Sequence, residues 1–88
     1  MATHRSAEKR ARQALKRRTR NRTVKSQVRT LIKGVRAAIE RGDGDGAQRE
    51  LRSAERALRK AASKGAIKKK KASRSVSRLA RSVHRVQG

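Results

Sequence analysis

The chain contains no proline, no cysteine and no aromatic residue. Without proline, nothing in residues 5–41 forces a break, and Gly34 is the one helix-weakening residue inside that stretch. Without cysteine there is no disulfide framework, no thiolate metal site and no thiol redox chemistry. Without aromatics, a module that stacks splayed single-stranded bases has no platform. The hydrophobic core must then come from fourteen large aliphatics: six Val, five Leu and three Ile. A core of that size supplies only ~3–5 kcal/mol, so folding is expected to finish on a partner. Long apolar runs are missing too, which excludes a signal-peptide core or a membrane span and makes a cytoplasmic location the default.

Acids are scarce. Six Asp and Glu face 28 Lys and Arg, a net charge of +22 on 9.8 kDa, and self-repulsion of that size opposes a compact free state. The imbalance is uneven. Residues 1–36 hold thirteen basic side chains against Glu8 alone, residues 37–63 hold six against five, and residues 64–88 hold nine against none. Two cationic segments therefore flank a nearly neutral one, and the partner is expected to be a polyanion.

Residues 5–41 read as one helix with two unlike halves. From Val24 the apolar residues Val24, Val28, Leu31, Val35 and Ala38 step 4-3-4-3 along one stripe. Opposite them Arg22, Lys25, Arg29, Lys33 and Arg36 form one basic ridge. Over residues 5–25 the only large aliphatic before Val24 is Leu15, and the basic side chains Arg5, Lys9, Arg10, Arg12, Lys16, Arg17, Arg18, Arg20, Arg22 and Lys25 point almost all the way round the axis. This half is either a helix offering charge to every side or a basic tail that becomes helical on its partner. Both readings place an anion around it. Ser6 is the expected N-cap, after a short lead through His4.

The segment 41–46, with Gly42, Gly44 and Gly46 between Asp43 and Asp45, is the first turn, with Gly42 at the left-handed position and Asp43 or Asp45 capping the next helix. A second helix over 47–63 carries the stripe Ala47, Leu51, Ala54, Leu58 and Ala61; Glu50 and Glu55 are expected to pair with Arg49, Arg52, Arg56 and Arg59 on its solvated faces. Gly65 stops it, with Ile67 as the expected hydrophobic contact of a Schellman motif. A third helix follows Lys68, Lys69, Lys70 and Lys71 to about Val86, with the stripe Ala72, Val76, Leu79, Val83 and Val86. Three matching stripes joined by glycine turns predict an all-α, antiparallel three-helix bundle with a long, projecting basic first helix. The single domain of 88 residues is divided into a basic arm or helix extension, 1–23, and a bundle, 24–88. The four lysines lie at the positive end of a helix dipole with no capping residue, which a phosphate would relieve.

No catalytic constellation is present, and no cofactor, metal ligand set or small-molecule substrate is implied. His4 and His84 lie at opposite ends of the chain and neither is expected to have a carboxylate partner. The glycine-rich turn lacks the Lys-Ser/Thr of a phosphate loop and the later Glu of a calcium loop. Three binding functions compete: a structured-RNA binder, a DNA-compacting nucleoid or histone-like protein, and a cationic membrane binder. A membrane helix wants large apolar residues opposite its lysines, and the basic half has only Leu15. Lys-rich DNA compactors are of low complexity, without matching heptads. Arg outnumbers Lys eighteen to ten, and Arg forks onto phosphates while stacking on exposed bases, which favours folded RNA.

Several segments also resemble a known family, the bacterial small-subunit ribosomal protein numbered twenty. They are Ser6-Ala7-Glu8-Lys9-Arg10, Arg20-Asn21-Arg22, Lys25-Ser26, Arg29-Thr30 and Ile32-Lys33 in the first helix, Gly42-Asp43 at the first turn, residues 61–69 around the second, and Ser77-Arg78-Leu79 in the last helix. The resemblance covers nearly the whole chain. It implies a three-helix bundle, monomeric within the ribosome, bound directly to 16S ribosomal RNA beside other small-subunit components. It further implies an early assembly protein at the lower end of the subunit body, bridging the 5′ domain and the long penultimate RNA helix. Lys68 and Lys70 stand where the family pattern has His and Asn, which keeps phosphate contact at both positions. The RNA-binding residues expected on these grounds are Arg5, Lys9, Arg10, Arg12, Lys16, Arg17, Arg18, Arg20, Asn21, Arg22, Lys25, Arg29, Lys33, Lys68, Lys69, Lys70, Lys71, Arg74 and Arg78.

Overall fold

Ala, Arg, Lys, Leu and Gln, all strong helix formers, fill the segments between the glycine turns. The computed structural model describes residues 4–87, and they form three helices: α1, His4–Glu40; α2, Gly44–Ser63; and α3, Lys69–Gln87. At 1.5 Å per residue α1 is ~55 Å long, and it accounts for most of the 62 Å length of a molecule only 20 by 13 Å across. The expected antiparallel bundle with a projecting basic first helix is what forms. α2 packs back along α1, and α3 rests mainly on α2 and touches α1 less.

Both turns use the same device. Gly42 adopts φ 70° and Gly65 φ 77°, the left-handed region where glycine carries no Cβ penalty. At the first turn Gly42 donates to Ile39 O at 3.0 Å and Asp43 to Ala38 O at 3.0 Å, the paired bonds of a Schellman motif. At the second, Gly65 donates to Ala62 O at 3.1 Å and Ala66 to Ala61 O at 2.9 Å. The buried Ala66 closes this second motif, and Ile67, the expected hydrophobic contact, packs half-buried on the cluster that holds Ala61.

Asp43 also opens α2. Its Oδ1 accepts the Gly46 amide at 2.9 Å and its carbonyl accepts the Ala47 amide at 2.8 Å. This cap starts α2 at Gly44, three residues before the expected start, and takes two of the three glycines into its first turn. The N-cap expectation for Ser6 fails, because the helix already runs from His4 and Ser6 is inside it.

The core falls into two clusters. Near the first turn Val35, Ala38, Ala47, Leu51, Ala54, Leu79 and Val83 meet; towards the second, Val28, Leu58, Ala61, Ala66 and Ala72. All five stripe residues of α2 are buried, as the middle helix of a three-helix stack requires. On the flanking helices Val24, Leu31, Val76 and Val86 are only half-buried. Half of the twelve buried apolar residues are alanines, so the helices approach closely around a small apolar volume. Ile32, one place off the α1 stripe, packs against both clusters and joins them.

Candidate nucleic-acid interface

Helix α1 carries its charge beyond the end of the bundle. Arg20 lies level with the α2 C-terminus, its Nη2 donating to the Lys64 carbonyl at 3.2 Å, so residues 4–19 overhang by ~24 Å at 1.5 Å per residue. Every residue from 7 to 20 is exposed. The Thr19 and Thr23 hydroxyls donate back to Leu15 O at 3.0 Å and Thr19 O at 3.1 Å, which leaves the guanidinium and ammonium groups as the outward-reaching donors of this rod. Leu15, at 61% exposure, is the one large apolar side chain left open among the described residues.

The residues singled out from the sequence are all at the surface. Arg5, Lys9, Arg10, Arg12, Lys16, Arg17, Arg18, Arg20, Arg22, Lys25, Arg29 and Lys33 are exposed along α1, and Asn21 is half-buried beside Arg20, whose Nη2 reaches Asn21 Oδ1 at 3.4 Å. Lys68 precedes α3; Lys69, Lys70, Lys71, Arg74 and Arg78 stand exposed on its first half.

Folding sorts the lysine run. Lys68, Lys70 and Lys71 line one shallow groove with Arg74, Ser75 and Arg78, whereas Lys69 turns into a different groove, between α2 and α3, beside Arg59 and Ser63. The first turn of α3 holds no acid, so these lysines have no local counter-charge. The shallow groove shares Ser75 and Arg78 with a cleft between α1 and α3 whose other lining residues are Ile32, Arg36, Ile39, Leu79 and Ser82. Arg36 and Arg78 thereby share one cleft from two helices, forming a second cationic surface beside the rod. Arg36, Ser75 and Ser82 were missed as site residues. Arg36 continues the ridge of Arg29 and Lys33 and was findable, but the two serines enter the site only through the packing of α3 on α1.

Helix α2 shows a different surface. Arg59 Nη2 pairs with Glu55 Oε1 at 2.6 Å, and Arg52 and Arg56 share that patch. Glu50, expected beside the α2 arginines, instead lies half-buried over Gly34 of α1: a Cβ added there would stand 2.8 Å from Glu50 Oε2. His4 departs from expectation as well, with its Nε2 3.0 Å from Glu8 Oε1 one turn along. That exposed pair stands alone, and among the described residues no three His, Cys, Asp or Glu side chains gather as a metal site. No helix among them is long and apolar enough to cross a membrane.

Residues 2–84 match the family described as ribosomal protein S20. A relative from Syntrophus aciditrophicus (strain SB), named small ribosomal subunit protein bS20, is 52% identical over 84 residues, covering 96% of this chain and 94% of its own. Proteins of the same name from Anaeromyxobacter sp. (strain Fw109-5) and Helicobacter pylori (strain Shi470) are each 50% identical over 86 residues, covering 98% of this chain and 96% and 97% of theirs. With a match that spans nearly its whole length, the chain belongs to the ribosomal protein S20 family.

Proposed function

We propose that this chain is a structural component of the small ribosomal subunit, in the cytoplasm, that binds 16S ribosomal RNA directly through phosphate contacts and supports assembly of the subunit. It is a ribosomal protein and not an enzyme. The observation that carries the RNA reading is the exposed rod of residues 7–20, which presents arginines and lysines without an apolar face for docking on protein. Arg5, Lys9, Arg10, Arg12, Lys16, Arg17, Arg18, Arg22 and Lys25 serve as its phosphate contacts. Arg29, Lys33, Lys68, Lys70, Lys71, Arg74 and Arg78 extend the contact along the bundle, and Lys69 adds to it from the α2–α3 groove.

The α2 patch faces away from the RNA in this reading, since it belongs to the nearly neutral segment 37–63 and Glu55 already balances one of its arginines. The arm, residues 1–23, acts as the element that enters the RNA, and 24–88 as the bundle that holds it at a fixed angle.

Counter-ion release makes the proposal measurable. Six to ten phosphate contacts lose ~10³–10⁵ in affinity between about 50 and 200 mM salt. Filter binding of the protein to folded 16S ribosomal RNA should show that steep fall, together with preference over duplex DNA of equal length. A nearly flat salt response overturns the phosphate reading, and equal affinity for the DNA overturns the RNA assignment.

A further inference from the structure

Arg20 hydrogen-bonds from α1 to backbone outside its own helix, at a residue 44 positions along the chain. Its acceptor, the carbonyl of Lys64, belongs to the C-cap residue of α2. That carbonyl receives no backbone amide among the described residues, although the neighbouring carbonyls of Ala61 and Ala62 are both taken up by the turn. It lies at the negative end of the α2 dipole, where a guanidinium is favourable. Asn21 Oδ1 accepts from the same Nη2 at 3.4 Å. The bond therefore ties the base of the projecting rod to the five-residue turn between α2 and α3, 44 positions along the chain. Lys64 and Lys68 lie in that turn, and Lys70 and Lys71 follow it directly.

We propose that Arg20 is a positioning residue, which fixes the lysine-bearing turn relative to the cationic rod so that both surfaces meet their RNA segments together. The inference rests on the RNA-binding reading above and assigns Arg20 a role other than phosphate contact. Its neighbours Arg17 and Arg22 have no such bond and are free to reach outward. The side chain is exposed and lies outside both hydrophobic clusters, so its replacement leaves the bundle folded.

Two measurements test this. In the free protein, Arg20→Gln should speed hydrogen exchange of the Gly65 and Ala66 amides, and Arg17→Gln should leave them unchanged. In binding to folded 16S ribosomal RNA, Arg20→Gln should lose roughly fivefold in affinity, equivalent to ~1 kcal/mol. The same substitution placed on a background of Lys68→Gln, Lys70→Gln and Lys71→Gln should cost much less, because the three lysines that line the shallow groove are gone. Arg17→Gln should cost the same on both backgrounds. An Arg20→Gln loss that persists in full on the triple-Gln background, or no loss at all, overturns the positioning role and leaves RNA binding standing. Equal affinity of the unmodified protein for duplex DNA removes the RNA reading itself, whatever the exchange experiment shows.

Discussion

Asp43 holds Gly46 through a 2.9 Å bond from the Gly46 amide to Oδ1, and the same Asp43 donates its own amide to Ala38 O, so one residue ends α1 and starts α2. Asp43→Ala keeps the amide and removes the cap. Loss of an Asp N-cap costs ~0.5–2 kcal/mol. A lowered melting temperature with unchanged helix content at low temperature is expected. An unaltered melt would show that the carboxylate contributes nothing to the turn.

Two glycine-to-alanine changes should move stability in opposite directions. At Gly34, inside α1 and short of its last turn, Ala gains helix propensity of ~0.8–1.0 kcal/mol. The obstacle is the carboxylate tip of Glu50, a flexible and half-exposed group that can swing aside. At Gly46 a Cβ would run into the Asp43 carboxylate that caps the helix, so the cap must break. Thermal melts should therefore rise for Gly34→Ala and fall for Gly46→Ala. A fall at Gly34 would mean that Glu50 is fixed in place.

The core is small enough for one truncation to matter. Leu58 is 1% exposed and Leu51 6% exposed on the central helix. Truncation of a buried Leu to Ala costs ~2–5 kcal/mol, comparable with all that a core of this size supplies, ~3–5 kcal/mol. Leu58→Ala should leave the free bundle largely unfolded by circular dichroism. Leu15→Ala, at an exposed site on the rod, should leave the melt within about 0.5 kcal/mol of its original stability. Equal effects of the two would contradict the architecture.

Neutralising the rod should cost far more binding than neutralising α2. Arg10, Arg17 and Arg22 changed together to Gln should lower the salt slope by ~0.7–0.9 per lost phosphate contact. The triple change of Arg49, Arg52 and Arg56 removes charge from a helix that also holds Asp45, Glu50 and Glu55, so it offers a polyanion less surplus charge than the rod does. Filter binding at several salt concentrations separates the two. If the α2 triple loses as much affinity as the rod triple, the RNA lies on the other face of the bundle.

Periodicity and turn chemistry made most of the fold legible. A 4-3-4-3 stripe is a local property, set by 3.6 residues per turn, so Ala47, Leu51, Ala54, Leu58 and Ala61 could be placed in the core before any partner helix was known. Gly42 and Gly65 were legible for the same reason, because a left-handed residue at a helix end is a single-residue requirement. Ile32 and Ile39 were not. They flank the α1 stripe and become half-buried only because α1 packs against two helices at once, which widens the face it hides.

What the sequence by itself determined is the number of helices, their ends to within a few residues, the excess of positive charge and its concentration in the first and last segments. Each follows from residues near one another in the chain. Tertiary structure alone decided that Arg20 reaches Lys64, that Glu50 lies over Gly34 and not among the α2 arginines, and that Lys69 parts from its three neighbours. It also brought Arg36 and Arg78 into one cleft. Those relationships depend on how far each helix is rotated and slid against the next, and the spacing of residues within a single helix carries no record of either.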